Sequence, residues 1–334
     1  MRLLCFFAAL LAFNAPQGLL AVAPDAPVAD APVVDDKAVE QKVIAVGGKV
    51  LRQAKGDGGP ITAIDLGGTE ATDELVASLC KLESLRMLKL GGVRLKESTL
   101  KQLGSLRQLR ELRFGGTQMK TTDAVLRELA GLSELRVLDL SDSYITDAGL
   151  KALQPLKNLE RLDLTRNLNI TDAGLAELRP LQNLRWLSLA ELEVGDVGVR
   201  ELAALPELRS LDLQVTKVTD EGLSALVGLT KLEQLDLFST SVSDASMKEL
   251  RQISTLRTLI LNGTRVTDAG VEQLRSLSAL EMLILDGKGV TDRSVPSLLE
   301  LKKLKQLTLL GSRISVEGRR QLQEALPNCS VYPR

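Results

Sequence analysis

The side chains that could do chemistry in this chain are carboxylates that recur at a fixed spacing. Asp139 and Asp163 are 24 residues apart, and so are Asp212 and Asp236. A row of acids can bind a basic partner segment, hold a hard cation such as calcium, or carry out acid–base hydrolysis as a pair. The chain contains no histidine, so the commonest general base and metal ligand is missing. We therefore expect a recognition surface, without cofactor, and not an enzyme.

These acids recur because a unit of 24 residues is repeated eleven times between Ile61 and Leu326. Its cleanest copy is LRVLDLSDSYITDAGLKALQPLKN, which starts at Leu135. Apolar residues at positions 1, 4 and 6 of the unit indicate one side of a short strand. Apolar residues at positions 16, 19 and 22 indicate a helical stripe against the same core. The period predicts an α/β solenoid that is curved, with parallel strands on its concave face and helices on its convex face.

A Thr-Asp or Ser-Asp pair comes before many of the predicted helices, as at Thr146-Asp147 and Thr219-Asp220. The hydroxyl residue is expected to cap the helix N-terminus, and the acid behind it to face the positive end of the helix dipole. These repeats therefore carry their own signal for the start of a helix.

These residues resemble the leucine-rich repeat. The match is LxxLxL followed by a TDAGL helix start, as in Leu159–Leu175, and it covers about four fifths of the chain. The TDAGL variant is similar to repeats of exported bacterial proteins from planctomycete-like organisms and to ribonuclease-inhibitor-like repeats. The resemblance implies protein recognition by the concave face, without chemistry.

The chain departs from this family at position 9, where the family usually has an asparagine that bonds the turns of adjacent repeats. Most repeats here have a hydroxyl residue at that position, such as Thr69 or Thr216, and Asn167 is the exception. We expect the hydroxyl to take the same role with its single donor.

The ends of the chain are predicted from composition. Residues 1–23 have Arg2, an apolar run from Leu3 to Phe13 and Ala21-Val22-Ala23, a pattern typical of a cleaved signal peptide. Residues 24–37 are interpreted as an acidic Pro- and Ala-rich linker, 38–60 as an N-terminal cap, 61–326 as the eleven repeats and 327–334 as a C-terminal tail or cap. The chain is therefore expected to be exported, with no membrane span once the signal is removed, although retention of the signal as an anchor stays open.

Composition narrows the choice of partner. The net charge is −1 and aromatic residues make up 2% of the chain, so neither a basic footprint nor stacking platforms for nucleic acid are present. A protein partner of unknown identity is expected, and the oligomeric state stays open.

The partner-binding surface is predicted from positions 2, 3, 5, 7 and 8, because alternate strand residues point away from the core. Position 5 is acidic in the middle of the chain and apolar later, and arginines at positions 2 and 3 are expected to neutralise part of its charge. The chain's only tryptophan lies at position 3. The candidate residues are Asp139, Arg161, Asp163, Trp186, Asp212, Asp236, Phe238, Ile260, Met282 and Ile284.

One repeat, residues 184–207, breaks the pattern four times, with Trp186, Ser188, Leu192 and Gly195. Clustered irregularity is where function is expected, and drift in an unconstrained repeat is the alternative. The charges could equally form a solvated, mutually neutralising face, and Trp186 could simply pack over arginine stems. The leading hypothesis is protein binding, and the alternative is a structural role at the cell surface or in the periplasm through self-association.

Overall fold

The computed structural model describes residues 36–53, 59–116 and 121–332. They form two compact units, one ending at Ile170 and the other starting at Thr171. The predicted signal peptide and all but the last two residues of the predicted linker lie outside the described residues.

The first unit has an N-terminal helix and strand followed by five repeats. Strand β1 is antiparallel to β2, and β2 to β6 are parallel in sequence order. Its strands are β1 (Lys49–Arg52), β2 (Ile61–Asp65), β3 (Met87–Lys89), β4 (Glu111–Arg113), β5 (Val137–Asp139) and β6 (Arg161–Asp163). Its helices are α1 (Asp36–Ala45), α2 (Asp73–Leu79), α3 (Glu97–Gln102), α4 (Asp123–Leu129) and α5 (Asp147–Leu150), with 3-10 turns at Leu103–Ser105 and Lys151–Leu153.

The second unit continues the same alternation, and all its strands are parallel and in sequence order. Its strands are β7 (Trp186–Ser188), β8 (Ser210–Asp212), β9 (Gln234–Asp236), β10 (Thr258–Ile260), β11 (Met282–Asp286), β12 (Gln306–Leu310) and β13 (Ser330–Tyr332). Its helices are α6 (Asp172–Leu175), α7 (Asp196–Glu201), α8 (Asp220–Leu223), α9 (Asp244–Leu250), α10 (Asp268–Leu274), α11 (Val295–Leu298) and α12 (Val316–Ala325). Its 3-10 turns are Ala176–Leu178, Leu202–Ala204, Ser224–Gly228 and Asp292–Ser294.

Leucines from strand and helix share one core in each repeat. Leu138 and Leu140 of the strand region and Leu150 and Leu153 of the helical region are fully buried. The predicted α/β solenoid of parallel strands alternating with helices is therefore confirmed. Since strand residues alternate in direction, positions 3, 5 and 7 point away from this core, and we call the surface they form the open sheet face.

The ends of the repeat array differ in detail from the predicted boundaries. Helix α1 begins at Asp36, two residues before the predicted cap, and its Val43 is buried whereas Ile44 is exposed. Arg52 explains the earlier start, because its guanidinium bonds Glu40 at 2.7 Å and lies 3.6 Å from Asp36. At the other end, part of the predicted tail is strand β13, which pairs with β12.

The acid at the start of a repeat's helix does more than face the helix dipole. Asp196 accepts hydrogen bonds from the next repeat's Thr219, at 2.8 Å from its N–H and 2.7 Å from its hydroxyl. The Thr219 hydroxyl in turn caps its own helix by accepting from the Glu221 N–H. The same carboxylate-to-next-repeat bonds, which we call the aspartate ladder, recur at Asp123, Asp220, Asp244 and Asp268.

The glycine of the TDAGL motif leaves room for this ladder. A Cβ at Gly222 would lie 2.5 Å from the Oδ1 atom of Asp196, and one at Gly198 would lie 2.6 Å from that of Asp172. Where the glycine is replaced by serine at Ser294, the hydroxyl instead donates to Asp268 at 2.5 Å. The glycine of the motif is thus required for contact between repeats. The role of the motif at a helix start does not by itself explain why glycine occurs there.

The expected role of the position 9 hydroxyls is wrong. Thr69 and Thr216 donate to the carbonyl three residues earlier in their own repeat. Asn167 does bond two repeats, because its amide donates to the Leu140 and Leu164 carbonyls. A hydroxyl has one donor and uses it locally, so the aspartate ladder supplies the bond between repeats that asparagine supplies elsewhere.

Removing one rung of the ladder should destabilise the fold. Asp268 accepts from the N–H and hydroxyl of Thr291 and from Ser294. Burial raises its pKa, but the bonds from Ser294 and Thr291 outweigh burial and hold the pKa below its ordinary value. We expect Asp268→Ala to lower the free energy of unfolding by about 3 kcal/mol, measured by urea denaturation at pH 7.

The exposed Glu272→Ala, one turn along the same helix, is the matched control and should change stability by less than about 0.5 kcal/mol. A carboxylate with a lowered pKa stabilises above its unfolded-state pKa, so the effect of Asp268→Ala should shrink below about pH 4. Equal stability of Asp268→Ala and the control at pH 7 would contradict the ladder.

Gly195 is a place where the ladder can be improved. Its N–H donates to Asp172 at 2.7 Å, but it has no hydroxyl to add the second bond or to cap helix α7. A Cβ there would meet its nearest neighbour at an ordinary 3.6 Å, so a side chain fits. We expect Gly195→Thr to raise the free energy of unfolding by about 1 kcal/mol. A loss of stability by urea denaturation would show that the glycine is needed.

Candidate functional site

The apolar candidates form one cluster on the open sheet face of the second unit. Ile260 and Ile284 are adjacent position 5 residues on β10 and β11 and are buried. Trp186, Phe238 and Met282 are partly buried and pack against this pair. We call these five residues the apolar patch. They present aromatic and aliphatic surface on the side of the sheet away from the helices.

Two of the acidic candidates lie next to this patch. Asp212 and Asp236 are neighbours at position 5 of β8 and β9, and Ile260 follows Asp236 in the same register. Asp212 accepts hydrogen bonds from Ser188 and from the backbone and side-chain amides of Gln214. Asp236 accepts from the Phe238 N–H at 2.8 Å. Both carboxylates are buried, although an open strand face was expected to leave them solvated.

Asp236 is the more unusual of the two acids. Its side chain is 1% exposed, and its Oδ2 atom has no hydrogen-bond partner. Burial raises the pKa of the Asp236 carboxyl well above its ordinary value, and the neighbouring Asp212 raises it further. A buried, incompletely bonded carboxylate costs free energy, so this position is not optimised for stability.

Asn262, which sequence analysis missed, is a second buried polar group on the open sheet face. It occupies position 7, is 1% exposed, and has no hydrogen-bond partner for either its Oδ1 or its Nδ2 atom. Its repeat also carries Ile260 of the apolar patch. Position 7 was included in the predicted surface, but nothing in the sequence distinguished this amide from an ordinary turn residue.

The remaining candidates, Asp139, Arg161 and Asp163, lie together in the first unit. Asp139 and Asp163 are position 5 neighbours on β5 and β6. Burial raises the pKa of Asp163 to about 6, and Asp139 adds to the rise, while bonds from Thr165 and the charge of Arg161 oppose it. Burial lowers the pKa of Arg161, and the charge of Arg113 adds to this, against Asp163 and Asp139. This group therefore contains its own cations.

The position 2 arginines do not neutralise the position 5 acids as expected. Arg209 pairs with Glu233 at 2.5 Å, and Arg257 pairs with Glu281 at 2.8 Å. Arg136 likewise pairs with Glu160 in the first unit. Position 2 residues of neighbouring strands lie one strand spacing apart, about 4.8 Å, whereas position 5 is three residues along the strand. Arginines therefore pair across strands at their own position.

The irregular repeat 184–207 contributes directly to this region. Ser188 stands where an aspartate would make a third adjacent carboxylate, and it donates to Asp212 at 3.1 Å instead. Leu192 is buried, and Trp186 joins the apolar patch. Two of the four irregularities therefore belong to the candidate site.

Val215 lies in the turn that follows β8 and has a φ of 53°. A β-branched residue in the left-handed region is strained. Its side chain is nevertheless 42% exposed, and its N–H donates to the Phe238 carbonyl. Glycine holds this position in other repeats, such as Gly263. Ser239, one repeat later, has the same conformation, so the turn of the repeat imposes it and Val215 differs by placing an exposed apolar side chain there.

Comparison with known proteins agrees with this geometry. The sequence model described as "Leucine-rich repeat region" matches residues 61–251, more than half of the chain, and "Leucine Rich repeat" matches residues 252–274. The chain belongs to the leucine-rich repeat family. A search of curated proteins found no significant match.

Solved structures show the same leucine-rich repeat fold. An internalin from Listeria monocytogenes is similar with a TM-score of 0.57 and 19% identity, over 89% of this chain and 94% of that one. The leucine-rich repeat ectodomain of the Arabidopsis thaliana receptor kinase GASSHO1/SCHENGEN3, in complex with CASPARIAN STRIP INTEGRITY FACTOR 2, gives 0.52 and 19%. That match covers 84% of this chain but 39% of the receptor. At these identities the similarity concerns the fold alone.

Two further observations on this leucine-rich repeat protein concern metal ligands and membrane-spanning helices. Within the part of the chain that the structure describes, no three acidic or cysteine side chains come together as metal ligands would, so the calcium alternative gains no support. In the same ranges, no helix is long and apolar enough to cross a bilayer.

The buried acid of the first unit should make stability depend on pH. A folded-state pKa of about 6 for Asp163 lies above the unfolded value, so stability falls as pH rises from about 4 to about 6. Asp163→Asn keeps the Oδ1 acceptor for Thr165 and removes the charge. We expect this variant to be more stable than the unmodified chain at pH 7, by on the order of 2 kcal/mol, and equal at pH 4.

Urea denaturation at pH 4, 5.5 and 7 checks this expectation. Asp65→Asn is the matched control, since Asp65 has the same repeat position and accepts a similar bond from the Gly67 N–H. An Asp163→Asn variant that follows the unmodified chain at all three pH values would contradict it.

Proposed function

We propose that the chain is an exported, non-enzymatic binding module that holds another protein on its open sheet face. The observation that carries the proposal is the apolar patch, where the partly exposed Trp186 and Phe238 pack on buried isoleucines. Aromatic side chains that are anchored from below and surrounded by charges are typical of binding hot spots. In this proposal the predicted concave face corresponds to the open sheet face.

Surrounding features support a contact role for this face. The ion pairs from Arg209 to Glu281 form a charged edge beside the patch, as the polar rim of an interface does. The strained and exposed Val215 adds apolar surface near Phe238. Among structures of the same fold, the plant receptor ectodomain was solved in complex with CASPARIAN STRIP INTEGRITY FACTOR 2, which agrees with recognition by this architecture.

Export rests on the sequence of the N-terminus, which lies outside the described residues. Arg2, the apolar run from Leu3 to Phe13 and Ala21-Val22-Ala23 are the features of a cleavable signal. We propose the periplasm, cell surface or medium as the location of the mature chain.

Capture of partners from an extract of exported proteins tests the proposed function. Trp186→Ala should lower the affinity for the captured partner at least about 30-fold, because it truncates the central aromatic of the patch. Tyr144→Ala is the matched control, since Tyr144 is an exposed aromatic residue outside the patch. It should capture the same proteins as the unmodified chain.

An unchanged set of proteins with Trp186→Ala would show that the patch is not the binding site. If no variant and no unmodified chain captured anything, protein binding itself would be contradicted. Size-exclusion chromatography over a range of concentrations separates binding from self-assembly, because a monomer at all concentrations contradicts an assembly role.

A further inference from the structure

The aspartate that adjoins the apolar patch, Asp236, is buried and has no cation of its own among the described residues. The groups that act on Asp236 are Asp212 and the Phe238 N–H, and among the described residues no lysine or arginine contributes. Asp163, at the same repeat position in the first unit, faces Arg161. The two acids thus differ in their surroundings, because no compensating charge for Asp236 comes from the described residues.

Aromatic side chains lie on the same sheet face as this acid. Trp186, on β7, packs against the cluster of Ile260 and Ile284 on β10 and β11. The two strands between, β8 and β9, carry Asp212 and Asp236 at position 5, with Ser210 and Gln234 at position 3. Phe238 follows Asp236 by two residues, donates its N–H to that carboxylate and packs in the same cluster. Asp236 therefore lies on a strand between Trp186 and the isoleucines on which Trp186 packs.

Asn262 gives independent evidence that the region is built for polar contact. Both polar atoms of its buried amide are without hydrogen-bond partners, and so is Oδ2 of Asp236. Such groups are rare in proteins and each one costs stability unless a further molecule bonds it. A bound guanidinium donates hydrogen bonds to carboxylate and amide oxygens and stacks on aromatic rings, and these are the groups present here.

We propose that Asp236, Asn262, Trp186 and Phe238 form a subsite for an arginine side chain presented by an apolar segment of the protein partner. This inference rests on the proposed function and adds the chemistry of the ligand. The guanidinium pairs with Asp236 and stacks on an aromatic ring, while the apolar neighbours of the arginine lie on the partly exposed surface of the patch, which includes Met282. One of the two partly exposed aromatic side chains, Trp186 or Phe238, moves aside so that the partner reaches the carboxylate of Asp236, and then forms a wall of the subsite.

Arginine is favoured over lysine for physical reasons. Its guanidinium is planar, weakly hydrated and able to stack on an aromatic face while donating two parallel hydrogen bonds to a carboxylate. Lysine is a compact and strongly hydrated charge that loses more on entering a region lined by isoleucines. The adjacent carboxylates of Asp212 and Asp236 repel each other, and a cation presented by the partner is attracted by both.

The sole tryptophan makes the test direct, because fluorescence excited at a wavelength that tyrosine hardly absorbs reports Trp186 alone. The probes are three capped pentapeptides, Ala-Leu-X-Leu-Ala, in which X is arginine, its uncharged isostere citrulline, or lysine. The arginine peptide should change Trp186 emission saturably and bind at least tenfold more tightly than the citrulline peptide and several-fold more tightly than the lysine peptide.

Two variants assign the effect to the subsite. Asp236→Asn keeps the acceptor for the Phe238 N–H and should reduce affinity for the arginine peptide about tenfold, to the level of citrulline. Phe238→Leu keeps apolar packing, removes a ring, and should cost a few-fold. Asp65→Asn, the matched acid at the same repeat position in the first unit, should bind the arginine peptide unchanged.

Equal binding of the arginine and citrulline peptides, or unchanged arginine binding by Asp236→Asn, would overturn the subsite. Lysine binding as tight as arginine would overturn the choice of guanidinium. The proposed function fails separately, because it depends on partner capture by the unmodified chain and its loss in Trp186→Ala. A partner captured equally well by Asp236→Asn and the unmodified chain would leave protein binding intact and remove the arginine subsite.

Discussion

The carboxylate that one repeat offers to the next, within each of the two units, is the interaction on which the described structure depends. Burial of leucines is non-directional and holds any similar packing of strand and helix together. The bonds from Asp196 to Thr219, and their equivalents, are directional and join the starts of successive helices. They require a short acid, a hydroxyl residue 23 positions later and space for the carboxylate, as at Gly222. The recurrence of the TDAGL motif along the chain follows from these three requirements.

Strict stacking has a consequence for the other side of the sheet. Strands that follow each other in perfect register place identical repeat positions side by side, so an acid at position 5 meets an acid at position 5. Like charges at this distance repel, and the chain relieves the repulsion differently in its two units. Arg161 faces Asp163 in the first unit, whereas Asp236 in the second is buried beside aromatic rings with its second oxygen unbonded. The first unit has Arg161 beside its position 5 acids, whereas the second unit has the apolar patch beside Asp236. The second unit is therefore the stronger candidate for binding.

Much of this could be predicted from the sequence, because the information is periodic. Positions 1, 4, 6, 16, 19 and 22 predicted the strands, the helices and the shared core, and the family followed from the same residues. Membership of Ile260, Met282 and Ile284 in one patch also followed from repeat positions. The second bond of each acid was not predictable, since Asp196 reads equally well as a charge at a helix start. Pairing of Arg209 with Glu233 was missed because the sequence gives positions, whereas side-chain length decides which neighbour is reached. Burial of Asp236 was missed because it depends on how neighbouring side chains pack on the open sheet face, which no periodicity encodes.

The central claim is that a protein partner lies on the apolar patch, and site-specific photo-cross-linking tests it most directly. Phe238 is replaced by p-benzoylphenylalanine in one full-length variant, and the exposed Tyr144 in another, and both are irradiated in an extract of exported proteins. The account predicts a covalent adduct with a partner at position 238 and none at 144, with the position 238 adduct reduced by an excess of unmodified chain. Adducts at 144 alone, or equal adducts at both positions, would contradict it.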